Sequence, residues 1–284
     1  MSEPLPHSVT AQSFGSGSAG NALLIRTAET ALLVDCGVGI RDLRAGLAHH
    51  GLGVADLDAI LVTHEHSDHV RTLPRVTRAD LPLVATRGTA HAARLPEATT
   101  EFIDPRAPVA IAGAEVRALA VRHDALDPCG FHIEIGGARI TVLTDLGRWE
   151  DHLVEAVSGS DLVLLEANYN DRMLRHGPYP AYLKRRVASG VGHLANDACG
   201  QAMAPVAKRF GGATTWWLSH LSETNNNPGQ AEADVRAELH RADVDADITA
   251  LPRRSAGPVW IFDPARRAER PTPSPVQVGL PGMG

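Results

Sequence analysis

Four candidate metal ligands, His64, His66, Asp68 and His69, fall within the run Thr63-His64-Glu65-His66-Ser67-Asp68-His69, and no other stretch constrains the chain so tightly. The apolar run Asp58–Thr63 ahead of it reads as a short strand, and Ser67 as the N-cap of a helix from Asp68 to about Arg78. A strand end, a tight turn and a helix start aim His64 and His66 one way, and Asp68 and His69 another. That divergence suits two divalent cations ~3.5–4 Å apart. Imidazole with carboxylate suits Zn²⁺, Mn²⁺ or Fe²⁺ and argues against a structural thiolate site. The plain alternative is a polar cluster capping a helix, and H-x-H-x-D-H is too dense for one.

Two cations need more ligands, and strand ends later in the chain offer them. His123 follows the strand pattern of 115–122, Asp145 follows Ile140–Thr144, and His220 follows Thr215–Leu218. Each alone reads as a turn or cap residue; together with the first motif they outline one sheet edge. Asp145 has two oxygens and could bridge both ions, which an imidazole cannot do. The chain has fourteen histidines, and the others read differently. His132 alternates within a strand and faces solvent or a neighbour. His49, His50, His91, His152 and His240 sit in helical patterns as surface residues, His7 lies in a terminal arm, and His176 in a loop.

Short strands in meanders, with helices between and after them, predict helices covering both faces of two packed sheets. The expected division is an arm over 1–8, one domain over 9–263 and a Pro/Gly-rich tail over 264–284. A length of 284 residues with 44% hydrophobic content is ample for a core. No apolar run reaches the ~18 residues of a membrane span. The start MSEPLPHSVT has no basic-then-apolar leader, and three scattered cysteines make no disulfide framework, so a cytoplasmic setting without membrane partners is expected. With a net charge of −6 the chain is no general glove for nucleic acid, and contact with it must be local. Arg172, Arg175 and Lys184–Arg186 form the best basic patch, which a solvated helix face explains almost as well.

The pattern His64-x-His66-x-Asp68-His69, then His123, Asp145 and His220, resembles the motifs of the metallo-β-lactamase superfamily. The match narrows to its YycJ/WalJ-like branch. Ser13-Phe14-Gly15-Ser16-Gly17-Ser18-Ala19-Gly20-Asn21 is similar to that branch's S-G-S-x-G-N loop. His123-Asp124-Ala125, Leu165-Glu166-Ala167-Asn168, Arg175 through Tyr179-Pro180, Gly192-His193-Leu194-x-Asn196 and His220-Leu221-Ser222 through Pro228 also agree, in order. The resemblance covers residues 9–262. Ala195 stands where the branch has a serine, and His176 interrupts R-x-G-x-Y-P.

The resemblance implies an α+β four-layer αββα sandwich with a dinuclear metal site along one edge. His64, His66 and His123 would hold one ion, Asp68, His69 and His220 the other, with Asp145 bridging. It further implies a hydroxide activated between two cations that cleaves phosphodiester bonds, in a 5′-to-3′ exonuclease acting on single-stranded or 5′-ended DNA. Asp68, Asp145 and His193 are the expected catalytic residues. His193 and Asn196 are candidates for contacting phosphate, or else a loop residue and a helix cap. Ser16, Ser18 and Asn21 in the glycine-serine loop, and Asn168 beyond the strand ending in Glu166, complete the expected substrate contacts. Hydrolysis of a small phosphodiester such as a cyclic nucleotide is the second reading.

Overall fold

The computed structural model describes residues 8–210 and 214–264. Apart from Ser8 and Pro264, the expected arm and tail lie outside the described residues. One seven-stranded sheet comprises β1 (Val9–Gly15), β2 (Ala22–Arg26), β3 (Ala31–Val34), β4 (Ala59–Leu61), β5 (Leu83–Ala85) and β6 (Thr100–Phe102). The second comprises β7 (Val109–Ile111), β8 (Ala114–Ala120), β9 (Cys129–Ile135), β10 (Ala138–Leu143), β11 (Leu162–Glu166), β12 (Thr215–Ser219) and β13 (Asp247–Ala250). The last strand, β14 (Val259–Phe262), returns to the first sheet as the antiparallel edge beside β1. The helices are α1 (Ile40–His49), α2 (Ser67–Val70), α3 (Arg87–Ala92), α4 (His152–Val157), α5 (Asp171–His176), α6 (Ala181–Val187), α7 (Asn196–Phe210) and α8 (Pro228–Arg241).

Three apolar layers hold these parts together, as the αββα expectation requires. Leu23, Ile25, Leu32, Val34, Phe131, Ile133, Val142, Leu164 and Trp217 pack between the sheets. The next residues along the same strands face outward. Leu24 and Leu33 pack under α1 with Leu43 and Leu47, and Val163, Leu165 and Trp216 pack under α7 and α8 with Met203 and Val235. Both faces of the central strands are therefore covered, so β2, β3 and β11 read as unbroken apolar runs. By contrast, β8 alternates buried and exposed residues, because Val116 and Ala118 face the partner sheet while Glu115 and Arg117 face solvent.

Parallel pairing sets the site's position. β3, β4, β5 and β6 run parallel, as do β10, β11, β12 and β13. The carboxyl ends of both sets open on the same edge of the sandwich, the usual place for a site in a parallel sheet.

The helix expected over Asp68–Arg78 stops after one turn. Its first residue is Ser67, with His66 in the capping position, and a separate 3₁₀ turn covers Leu73–Arg75. Pro74 explains the break: it has no N–H to donate, and its ring clashes with a continuing helix. His176, expected in a loop, ends α5, and β6 is a strand the pattern did not disclose. The three cysteines are buried and free. Among the described residues, no helix is long and apolar enough to cross a membrane.

Gly37 allows the closest approach of main chains in this region. A Cβ there would overlap the Asp68 carbonyl and crowd the His69 nitrogen, both of them backbone atoms that cannot swing aside. The neighbouring chain is tied down as well, with Cys36 N–H donating to His69 O at 2.7 Å and Asn21 N–H to Asp68 O at 2.8 Å. Gly37→Ala is expected to destabilise the fold by about 1–3 kcal/mol and to weaken metal uptake by displacing the Asp68–His69 turn. A variant with an unchanged denaturation midpoint and full metal content would refute this.

Candidate metal centre

Every expected ligand lies at the carboxyl edge. β4 delivers His64 and His66, α2 carries Asp68 and His69, and the ends of β8, β10 and β12 deliver His123, Asp145 and His220. The ligand-type atoms gather into overlapping groups, each within 4.8 Å: His64, His66 and His123; Asp68, His69 and His220; and His64, His69 and Asp145. Asp145 lies between the first two. Its Oδ1 is 3.6 Å from His123 Nε2, and its Oδ2 is 3.0 Å from His69 Nε2. His132 stays apart, in β9, with its Nδ1 2.8 Å from Thr141 Oγ1.

Each buried imidazole is turned by a partner on its outer nitrogen. His69 Nδ1 donates to Asp35 Oδ2 at 2.7 Å, and His123 Nδ1 to Gly192 O at 3.0 Å. His220 Nδ1 donates to Glu166 Oε1 at 3.0 Å, and His64 Nδ1 lies 3.0 Å from Thr63 Oγ1. These bonds leave the four Nε2 lone pairs facing inward. His66 offers Nδ1, 3.2 Å from His123 Nε2.

The residues fit divalent cations on two grounds. First, His64 Nε2 and Asp145 Oδ2 are buried without a hydrogen-bond partner, although the carboxylate oxygen meets the distance from His69. A buried polar atom left so is costly unless something outside the protein binds it. Second, Asp35, Asp145 and Glu166 are each 3% exposed or less, and among the described residues none makes an ion pair with lysine or arginine. Their ion-pair partners are all histidines, and buried charge demands a counter-charge. Burial alone would strip His69 of its proton, yet Asp35 and Asp145 outweigh it and raise its pKa to about 10. Burial likewise opposes a charged His220, and Asp145, Asp68 and Glu166 carry its pKa well above the usual range. His64 goes the other way, held neutral by burial and by His69. In the metal-free protein, protons thus stand where cations would.

Backbone strain marks the same edge. Asp35, Asp145 and His220 adopt left-handed conformations, with φ of 59°, 53° and 53°. Asp35 and His220 follow directly on β3 and β12, Asp145 stands two residues beyond β10, and such angles are unfavourable for residues with a Cβ. The turn reverses the chain at once and leaves the side chain on the edge.

Two carboxylates lacked an assigned role in the sequence reading. Asp35 accepts from Thr63 N–H at 2.9 Å and from the Thr63 hydroxyl while orienting His69. Glu166 Oε2 accepts from Leu146 N–H at 2.7 Å and Leu194 N–H at 3.0 Å, while Oε1 meets His193 Nδ1 at 2.8 Å as well as His220. A signal existed for both: each is an acid ending an otherwise apolar, fully buried strand.

The expected substrate contacts divide. His193 stands at the rim with its side chain 19% exposed. Ser18 is exposed in the glycine-serine loop. Ser16, Asn21, Asn168 and Asn196 are buried, each with hydrogen-bond partners inside the protein. Ser16 Oγ accepts from His220 N–H at 2.9 Å, and Asn168 Nδ2 donates to His220 O at 2.7 Å. Asn21 Oδ1 accepts from Gly17 N–H at 2.8 Å, and its Nδ2 lies 3.0 Å from His69 Nε2. Asn196 bonds across to Asn226 and Asp234.

Known proteins share this architecture. Residues 30–221 match the family described as the beta-lactamase superfamily domain. Over 231 residues the chain is 35% identical to an exodeoxyribonuclease YycJ of Bacillus anthracis, covering 79% of this chain and 86% of that one. Over 242 residues it is 30% identical to an exodeoxyribonuclease WalJ of Streptococcus pneumoniae, covering 82% and 89%. The structure of the metallo-β-lactamase-fold protein YhfI from Bacillus subtilis is similar, with a TM-score of 0.67, 17% identity, and coverage of 90% of this chain and 99% of that one. Human tRNase Z, short form, gives a TM-score of 0.56 at 17% identity, covering 87% and 98%.

Adding Zn²⁺ or Mn²⁺ to metal-free protein at pH 7 is expected to raise the melting temperature and release protons, seen as binding heats that vary with buffer ionisation enthalpy. Buffer-independent heats would contradict the protonated state described for His69 and His220. Asp35→Asn is expected to weaken metal binding by about 10–100-fold in a protein that stays folded, and Asp145→Ala to lose bound metal by elemental analysis.

Proposed function

Because the chain belongs to the beta-lactamase superfamily, we propose that it is a metal-dependent nuclease that releases nucleotides from the 5′ end of a DNA strand, with two divalent cations at the sheet edge. The observation that carries this reading is the pair of inward-facing triads with the Asp145 carboxylate between them. The relatives aligned over most of the chain are named exodeoxyribonucleases, so a small cyclic phosphodiester is not the favoured substrate. His64, His66 and His123 would hold one cation and Asp68, His69 and His220 the other, with Zn²⁺, Mn²⁺ or Fe²⁺ all compatible with this donor set. Bound there, the cations supply a lowered pKa for an attacking water and offset negative charge growing on the phosphoryl oxygens.

The protein's own groups handle orientation and the leaving proton. Asp35, Glu166, Thr63 and the Gly192 carbonyl lock the ligand rings, so the phosphoryl group enters a site that needs no rearrangement. His193 Nδ1–H donates to Glu166 Oε1, and its Nε2 makes no hydrogen bond among the described residues. Burial works against a charged His193, but the Glu166 and Asp145 carboxylates raise its pKa above the ordinary value. His193 is therefore the group placed to pass a proton from Nε2 to the departing 3′-oxygen.

The direct test uses Mn²⁺-loaded protein and end-labelled single-stranded DNA, with 5′-phosphate and 5′-hydroxyl forms compared. Stepwise mononucleotide release from the 5′ end, abolished by chelator, is the expected result. No cleavage of either form, with two metal equivalents bound, would sink the nuclease reading and turn attention to small phosphodiesters. His193→Ala is expected to lower kcat by roughly 10²–10⁴-fold with metal content unchanged, whereas loss of a metal equivalent would mark it as a ligand instead.

A further inference from the structure

Among the described residues, five large hydrophobic side chains are exposed: Leu126, Tyr182, Val191, Val259 and Ile261. Val259 and Ile261 lie together on the edge strand β14. The other three come from separate segments, yet each sits beside the holder of one metal-centre residue. Leu126 is in the loop that begins with His123. Val191 precedes Gly192, whose carbonyl orients His123. Tyr182 lies one helical turn before Arg186 on α6, so the two share a face, and Arg186 Nε donates to Asp124 Oδ2 at 2.6 Å, next to His123.

The loops carrying these residues are knitted together. Gly147 N–H donates to Arg122 O at 2.7 Å, and a Cβ on Gly147 would meet the backbone of Gly190 and Val191. The apolar groups therefore occupy one built rim and are not scattered on mobile ends.

Arginines stand along this rim. Arg122 and Arg148 share a single carboxylate, Glu150, at 3.4 and 3.0 Å. Arg186 pairs with Asp124, and the exposed Arg185 makes no ion pair among the described residues. Two acids of the rim are held by backbone donors, Glu65 Oε1 by Leu126 N–H at 2.8 Å and Asp127 Oδ2 by Gly88 N–H at 3.2 Å, which leaves Arg185 as the rim cation with no ion-pair partner among the described residues. Arginines interleaved with an exposed aromatic ring and aliphatic tips are what a single strand requires, since phosphates need cations and unpaired bases need flat apolar surface.

Resting on the nuclease reading above, we infer that Tyr182, flanked by Leu126 and Val191, is a stacking platform for unpaired bases of the strand whose backbone enters the metal centre past Arg185 and Arg186. A paired base would have both faces covered by its neighbours, so the platform selects for single-stranded substrate.

The test compares KM for a single-stranded thymidine oligonucleotide with KM for a strand of equal length in which internal bases are replaced by tetrahydrofuran spacers. Both carry the same phosphates, so their ratio reports base contact alone. Holoprotein is expected to favour the base-bearing strand by about 10-fold. In Tyr182→Ala that ratio should fall to near one, and Tyr182→Phe should restore it, because stacking needs the ring and not the hydroxyl. Tyr182 is 67% exposed, so its truncation opens no core cavity. A ratio preserved in Tyr182→Ala overturns the platform while leaving the nuclease reading intact. Self-association that is lost in Tyr182→Ala, with the ratio unchanged, assigns the rim to a second copy of the chain and overturns the platform too. Failure of the unaltered holoprotein to cleave any oligonucleotide overturns the nuclease reading beneath it.

Discussion

Buried negative charge is the constraint on which the metal centre depends. Asp35, Asp145 and Glu166 are sealed from water among imidazoles. Such an arrangement is tolerable only when protons or cations enter with it. This requirement explains why the histidines are held at their outer nitrogens by carboxylate, carbonyl and hydroxyl groups: the rings are fixed before any ligand arrives. It also explains the positions of the strained residues. The left-handed turns at Asp35, Asp145 and His220 cost conformational energy, roughly 1–3 kcal/mol each, and the two covered sheets beneath them supply the rigidity that sustains it.

How much of this was legible in the sequence depended on how far each contact reaches along the chain. The H-x-H-x-D-H cluster is contiguous, so its density could be read directly. His123, Asp145 and His220 were found by their place after apolar strands, a local property too. Asp35 and Glu166 end strands in the same way, but their partners lie 34 residues away at His69, and 27 and 54 residues away at His193 and His220. The strand-end position was a local signal, but nothing local says which imidazole such an acid orients.

The αββα layering was readable because covered strands are apolar on both faces, and the boundaries that failed did so for identifiable reasons. Pro74 ended the helix after the motif. The asparagines and serines expected to touch substrate were harder, since an amide that ties two loops together and one that greets a phosphate look identical in sequence. The partners of Asn168 and Asn196, His220 O and Asp234, lie far along the chain and are visible only in the fold.

The outer partners of the two triads are unlike. His64 and His123 lean on a hydroxyl and a carbonyl, both neutral, and their triad contains no acid. His69 and His220 lean on the carboxylates of Asp35 and Glu166, and Asp68 adds a third negative group. The second position is therefore the deeper electrostatic well. A cation bound there would have to displace the protons of His69 and His220, whereas one in the first position would meet His64 and His123 already neutral. Proton release on loading, and the pH dependence that goes with it, would therefore belong mainly to the second position.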